Sequence, residues 1–184
     1  MHGTEAPSAW VRRWTHLIPP GATALDLACG AGRHLRWLHS QGHPVVGVDR
    51  SAEALAACEG LGELLLADIE NGPWPLPGRQ FGAVVVTNYL WRPLLPAIVD
   101  SVAPGGVLIY ETFALGNETV GRPARPEFLL APGELLGASQ GLRVVAYEDG
   151  FLDEPARFVQ RITAVRELPQ PGGAPRHLLS IAAS

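Results

Sequence analysis

A glycine loop, Leu25-Asp-Leu-Ala-Cys-Gly-Ala-Gly-Arg33, constrains this chain more than any other feature. It joins an apolar run at residues 23–28 to a helical stretch at about 33–41. Glycine at this junction lets the backbone approach a ligand closely, and the helix that follows presents unpaired N–H groups and positive potential. A strand, a glycine turn and a helix in register therefore predict a ligand-binding loop, beyond a mere tight turn.

The rest of the chain repeats the strand-then-helix alternation that builds a parallel sheet with crossover helices. Strands are expected at 44–48 (ending at Asp49), 63–67 (ending at Asp68), 81–87 and 107–110 (ending at Glu111). Residues 81–87 are almost wholly apolar, as a central strand buried on both faces requires. Helices are expected at 52–58, with Ser51 as N-cap, and at 94–102, where Pro104-Gly105-Gly106 stops the helix. The proline-rich run 71–78 reads as loop, and 114–132 as a long loop or lid rich in Gly, Pro, Arg and Asn. A short helix at 132–139 then precedes extended runs at 142–149 and 157–168, an antiparallel pair closing the sheet edge. The N-terminal run Ala9-Trp-Val-Arg-Arg-Trp14 reads as a helix with both tryptophans on one face. It either caps the ligand site, with Arg12 or Arg13 toward a carboxylate, or docks on the sheet with its arginines in solvent.

Several function classes lose ground on composition. With 47% hydrophobic and 17% charged residues, the 184-residue chain is long and apolar enough for one globular domain. No apolar run approaches a bilayer span, and no signal segment is evident, so a cytoplasmic enzyme without a membrane partner is expected. A net charge of −4 without a basic stripe favours small-molecule substrates over nucleic acid. Two cysteines without C-x-x-C spacing and scattered histidines offer no metal site. Oligomeric state has no signature in the sequence.

A dinucleotide site wants G-x-G-x-x-G and an acid about 20 residues on. Gly30 and Gly32 supply two glycines, but Leu35 stands at the third. Asp26 brings a carboxylate where cofactor phosphates would lie, yet suits a ligand with a cationic amine and no phosphate. S-adenosylmethionine is such a ligand. Asp49, 23 residues after Asp26, can accept both ribose hydroxyls, or cap a helix. Asp68 can accept from an adenine amino group, with the Ile69 N–H on a ring nitrogen, or be a solvated loop acid. Acids at the carboxyl ends of three parallel strands face one crevice.

In these motifs the chain resembles the class I S-adenosylmethionine-dependent methyltransferases. The likeness covers residues 23–112: the glycine loop, Val46-Gly-Val-Asp49, Leu66-Ala-Asp68, Phe81-Gly-Ala-Val-Val-Val-Thr87 and Ala103-Pro-Gly-Gly106. Ala28 departs, as a mild substitution, from the glycine common there. In size the chain is similar to the small tellurite-resistance and thiopurine-methyltransferase-like members. The resemblance implies an α/β fold: a Rossmann-like, doubly wound, mostly parallel seven-stranded sheet with an antiparallel edge hairpin and helices on both faces. It implies that Asp26 and the backbone from Ala28 through Cys29 and Gly30 to Gly32 hold the methionine part. Asp49 then holds the ribose, Asp68 with Ile69 the adenine, and Asn88 lies beside the sulfonium. Arg33 and Arg50 complete the cofactor set, and S-adenosylhomocysteine is the product.

The segment Asn88-Tyr-Leu-Trp-Arg-Pro93 lacks the prolines of the Asn/Asp-Pro-Pro-Tyr/Phe motif, which weakens methylation of base or amide nitrogen. The candidate catalytic residues are Asn88, Tyr89 and Glu111. Tyr89 and Trp91 are expected to wall the pocket or join the core, and Glu111 to act as general base or accept from loop N–H groups. Cys29 reads as a small buried filler. Arg122 and Arg125 either attract an anionic acceptor or solvate a lid. The alternatives are a nicotinamide-dependent oxidoreductase, opposed by Asp26 and Leu35, and an S-adenosylmethionine-binding protein without catalysis.

Overall fold

In the computed structural model of the chain, residues 6–169 and 173–180 are described. Strands β1 (Ala24–Leu27), β2 (Val45–Asp49), β3 (Glu63–Leu66), β4 (Phe81–Thr87), β5 (Val102–Phe113), β6 (Arg143–Leu152) and β7 (Arg157–Val165) form one sheet, ordered β3-β2-β1-β4-β5-β7-β6. The first five run parallel; β7 pairs antiparallel with β5, and β6 antiparallel with β7. Strand order reverses between β1 and β4, which opens a crevice at their carboxyl ends.

Helices α1 (Ala9–Trp14), α2 (Arg33–Ser40), α3 (Ala52–Ala56), α4 (Leu95–Asp100) and α5 (Glu134–Ala138) cover both faces. Trp10, Trp14, Leu35, Leu38 and Leu55 pack with Ala24, Val85 and Ile109 on one face. Ile98, Val99 and Leu135 pack with Leu25, Leu27, Val84, Val86 and Leu108 on the other. Leu25 and Leu27 are fully buried, and each such side chain contributes about 2 kcal/mol. Strand alternation turns Asp26 and Glu111 to the α1–α3 side. Gly47 admits α2 to that side, since a Cβ there would meet Leu35 Cδ1 at 2.7 Å.

The expected sheet is present, with differences at its edges. β5 starts at Val102 and runs through Pro104-Gly105-Gly106, because a register shift opposite Phe81–Ala83 absorbs the extra residues. The helix ahead of it is shorter: a 3-10 turn (Arg92–Leu94) followed by α4. Segment 114–132 is largely pinned. Ala114 bridges Leu130, Asn117 is buried with its Nδ2 donating to the Pro123 carbonyl, and two 3-10 turns lie between. Arg92 donates to the Glu127 and Leu129 carbonyls and grips Glu134 at 2.6 Å. Beyond 169, His16 meets the Leu178 carbonyl at 2.9 Å. The start of the N-terminal stretch, residues 1–5, lies outside the described residues.

Candidate functional site

Asp26 sits third in β1, 1% exposed, and its Oδ2 has no hydrogen-bond partner. Burial pushes its carboxyl up to about 8, against the pull of Arg33 and with a further push from Asp49. Asp26 therefore stores an unmet demand for a positively charged or donating group.

The loop after β1 turns on three left-handed residues: Ala28 (φ +54°), Gly30 (+52°) and Gly32 (+79°). Ala28 is thus a strained choice, at about 1 kcal/mol, where glycine would be relaxed. The Gly30 N–H donates to Asp49 Oδ2 and the Ser51 N–H to Asp49 Oδ1, both at 2.8 Å. Asp49 thereby caps the turn into α3 and still has a lone pair on each oxygen. Beneath the loop, the buried Cys29 and Cys58 aim their thiols at the Gly30 carbonyl, and burial raises both thiol pKa values.

A cleft of about 130 Å³ opens beside this loop, lined by Ala28, Asp49, Arg50, Ala67, Asp68, Ile69, Glu70 and Tyr89. Four strand-end segments thus converge on one space. Asp68 is also the hub of a turn: it accepts from the Glu70 and Asn71 N–H groups and from Asn71 Nδ2. Those bonds, the Asn71 side chain first, hold its carboxyl below the usual range. Tyr89 is half-buried, and its phenol is pushed up by burial and then by the neighbouring Glu70 carboxylate. Trp91 is half-buried but does not line the cleft.

Asn88 follows β4 in a left-handed conformation (φ +53°), exposed, with its N–H on the Glu111 carbonyl at 2.9 Å. Glu111 is 1% exposed, and its carboxylate is surrounded. The Ser8 hydroxyl donates to Oε1 at 2.9 Å, while Arg157 and Arg161 approach to 3.7 and 3.3 Å. Both carboxylate oxygens are thus engaged, Oε1 by the Ser8 hydroxyl and Arg157 and Oε2 by Arg161. Arg161 also pairs with Glu148, which Arg13 reaches at 3.5 Å; the Nε atoms of Arg157 and Arg161 are buried without partners. Three arginines here meet two carboxylates.

Arg12 lies over the Trp37 ring and Arg13 over Trp14, so neither points toward Asp26. The N-terminal segment reaches the site through Ser8 instead. Its N–H donates to His34 Nε2 at 3.1 Å, and His34 Nδ1 lies 3.3 Å from Thr87 Oγ1. Ser8, His34, Glu70, Arg157 and Arg161 escaped the sequence reading. The available signals were slight: a histidine within the apolar face of α2, and two arginines four apart in a strand facing Glu111. Arg122 and Arg125 are exposed, Arg125 lying 3.9 Å from Glu127. Among the described residues there is no cluster of metal-ligating side chains and no helix long and apolar enough to cross a membrane.

Residues 24–106 match the family model of a methyltransferase domain. No curated protein matches the chain. Among solved structures, TehB from Haemophilus influenzae superposes with a TM-score of 0.71 at 22% identity, covering 90% of this chain and 64% of that one. The chain thus spans under two thirds of that relative. A TehB-like S-adenosylmethionine-dependent methyltransferase from Corynebacterium glutamicum gives 0.60 at 19% identity, covering 82% and 85%. An S-adenosylmethionine-dependent methyltransferase from Mesorhizobium loti gives 0.63 at 18%, covering 81% and 94%. Residues 24–106 thus match a methyltransferase domain, and the chain shares the fold of S-adenosylmethionine-dependent methyltransferases, TehB-like members among them.

Proposed function

We propose that the chain transfers the methyl group of S-adenosylmethionine to a small acceptor: a thiol, an oxyanion or a similar nucleophile. One observation carries the reading: the buried, unsatisfied Asp26 oxygen lies in β1 two residues ahead of Ala28, which lines the cleft together with Asp49 and Tyr89. The residues fit the cofactor. Asp26 would take the cationic amine, the loop from Ala28 through Cys29 and Gly30 to Gly32 the methionine part, and the remaining lone pairs of Asp49 the ribose. Ile69 and Tyr89 would flank the adenine, with Asp68 at its edge; Arg33 and Arg50 border the same set. Once bound there, the cofactor supplies an electrophilic methyl group on a sulfonium.

The protein's own part is alignment and exclusion of water. Asn88 and Thr87 end β4 beside that position, and Ser8 and Glu111 wall it from the α1 side. Holding two reactants in line supplies much of a methyl transfer's rate, so no strong base is needed. The cationic excess at Arg157 and Arg161 favours an acceptor that reacts as an anion, such as a thiolate or an oxyanion. In this reading residues 1–184 act as one methyltransferase domain, with 1–20 as N-terminal cap and 114–132 as the loop at its mouth. It works in the cytoplasm, without a nucleic-acid or membrane partner.

The test is calorimetric titration of the wild type and Asp49→Ala with S-adenosylhomocysteine and, separately, with NAD. Micromolar binding of the first, lost in the variant, supports the reading. Binding of NAD alone overturns it. Formation of S-adenosylhomocysteine in lysate then separates an enzyme from a protein that only binds the cofactor.

A further inference from the structure

His34 is 2% exposed, at the second position of α2, and carries no charge in any role described above. Its two ring nitrogens face different elements. The Ser8 backbone N–H can only donate, so Nε2 must be the accepting nitrogen. Nδ1 then carries the proton and donates to Thr87 Oγ1. Burial agrees with this neutral form, lowering the imidazole to about 3.

Ser8 completes the bridge. Its hydroxyl donates to Glu111 and accepts from the Trp10 and Val11 N–H groups at the start of α1. Thr87, the last residue of β4, and Glu111, two residues before the end of β5, are register partners. Ser8 therefore spans from the first turn of α2 to near the end of β5, directly across the end of β4. Asn88 is the next residue along β4, and its N–H is held by the Glu111 carbonyl. Ser8 ties the segment ahead of α1 to the fold twice, once to His34 and once to Glu111.

We infer that His34 is a positioning residue for the methyl-transfer site, fastening the N-terminal arm through the Ser8 backbone across the end of β4. The inference rests on the function proposed above, because it takes the space beside Asn88 as the place of transfer. Its role is to keep that wall closed against water, and it touches neither cofactor nor acceptor.

Two amide substitutions separate the two bonds. His34→Gln places an acceptor at the reach of Nε2 and keeps the Ser8 bond. His34→Asn places a donor at the reach of Nδ1 and keeps only the Thr87 bond. Hydrogen exchange over residues 8–14 and the dissociation rate of S-adenosylhomocysteine are the readouts. His34→Gln should behave as wild type in both. His34→Asn should exchange faster and release the ligand about tenfold faster, the effect of one lost hydrogen bond. Equal behaviour of the two amides overturns the inference, since a merely structural histidine would lose similarly in either. Should His34→Asn fail to fold, Ser8 supplies the same test: its φ of −50° accepts proline. Ser8→Pro and Ser8→Ala both lose the hydroxyl with its bonds to Glu111 and α1, but only Ser8→Pro also loses the N–H, so the proline variant should loosen the arm further; equal loosening overturns the tether. If the wild type binds no S-adenosylhomocysteine, the proposed function fails, while the exchange pattern still decides the tether.

Discussion

The backbone N–H of Gly30 and the carboxylate of Asp49 meet at 2.8 Å, tying the loop after β1 to the end of β2. This bond closes the floor of the cleft before any ligand arrives. It also makes Asp49 a structural residue as well as a candidate ribose acceptor.

Asp49→Ala should therefore show two losses. The Gly30 and Ser51 N–H groups lose their acceptor, which should lower stability by about 1–3 kcal/mol. Binding of S-adenosylhomocysteine should fall below detection. Asp49→Asn keeps one accepting oxygen, so it should recover most of the stability and little of the binding. Denaturant melts and calorimetry on the pair check this; full binding by Asp49→Asn would show that the carboxylate charge has no part in ligand capture.

Stability should depend on pH through two buried groups of opposite sign. Asp26 rises from 3.8 unfolded to about 8 folded, so the native state holds more protons between these limits. Its contribution is full at low pH and is lost as pH rises from about 4 to about 8. His34 falls from 6.5 to about 3, so its contribution is full above 6.5 and lost as pH drops toward 3. The two oppose each other between about 4 and 6.5, and the Asp26 decline stands alone from about 6.5 to 8, at no more than about 1.4 kcal/mol per pH unit. His34→Gln should extend that decline down to about pH 4, and Asp26→Asn should abolish it. Affinity for S-adenosylhomocysteine should rise over the same range in the wild type as Asp26 ionises. Urea midpoints at half-unit pH steps measure the first effect and titrations the second; a flat profile for His34→Gln would contradict the assignment.

Ala28→Gly should stabilise the protein by about 1 kcal/mol, because a left-handed alanine becomes a relaxed glycine. Part of that gain is offset by the looser unfolded chain. The change leaves the N–H groups of the loop in place, so ligand affinity should hold or improve slightly. Chemical denaturation reads the sign directly, and a loss of stability would mean that the alanine methyl packs against something the strain argument leaves out.

The sheet was legible where apolar runs end at glycine or aspartate. β1, β2, β3 and β4 lie within a residue or two of their expected places, since two-face burial leaves little choice of residue. β5 was read short because Pro104-Gly105-Gly106 looks like a stop, and only the bulge opposite Phe81 shows that the ladder resumes. Asp26, Asp49, Asp68 and Tyr89 are legible as candidates because they sit in short motifs in or just after the strands. Ser8 and Glu111 stand 103 residues apart, and Ser8 and His34 stand 26 apart on an apolar helix face. No local pattern reports such meetings, which exist only once β4 and β5 are paired. The pinning of 114–132 is hidden for the same reason, since Arg92 acts from another segment.

Glu111→Gln tests what the carboxylate does near the end of β5. A general base would lose activity with its stability intact. The geometry predicts the reverse order of effects, because the charge of Glu111 is what balances Arg157 and Arg161 in a site where it is itself 1% exposed. Glutamine keeps an accepting oxygen for Ser8 but leaves two guanidinium groups facing a neutral amide. Removing one partner of a buried ion pair costs about 3–5 kcal/mol. Partial exposure of both arginines, at 21% and 15%, and the Glu148 contact place this variant at the lower end of that range. Glu111→Gln with Arg157→Gln should recover part of the loss, since one unpaired cation is then gone. Urea melts of the two variants give the coupling; a single variant as stable as wild type but inactive would favour the general-base role over the ion-pair role.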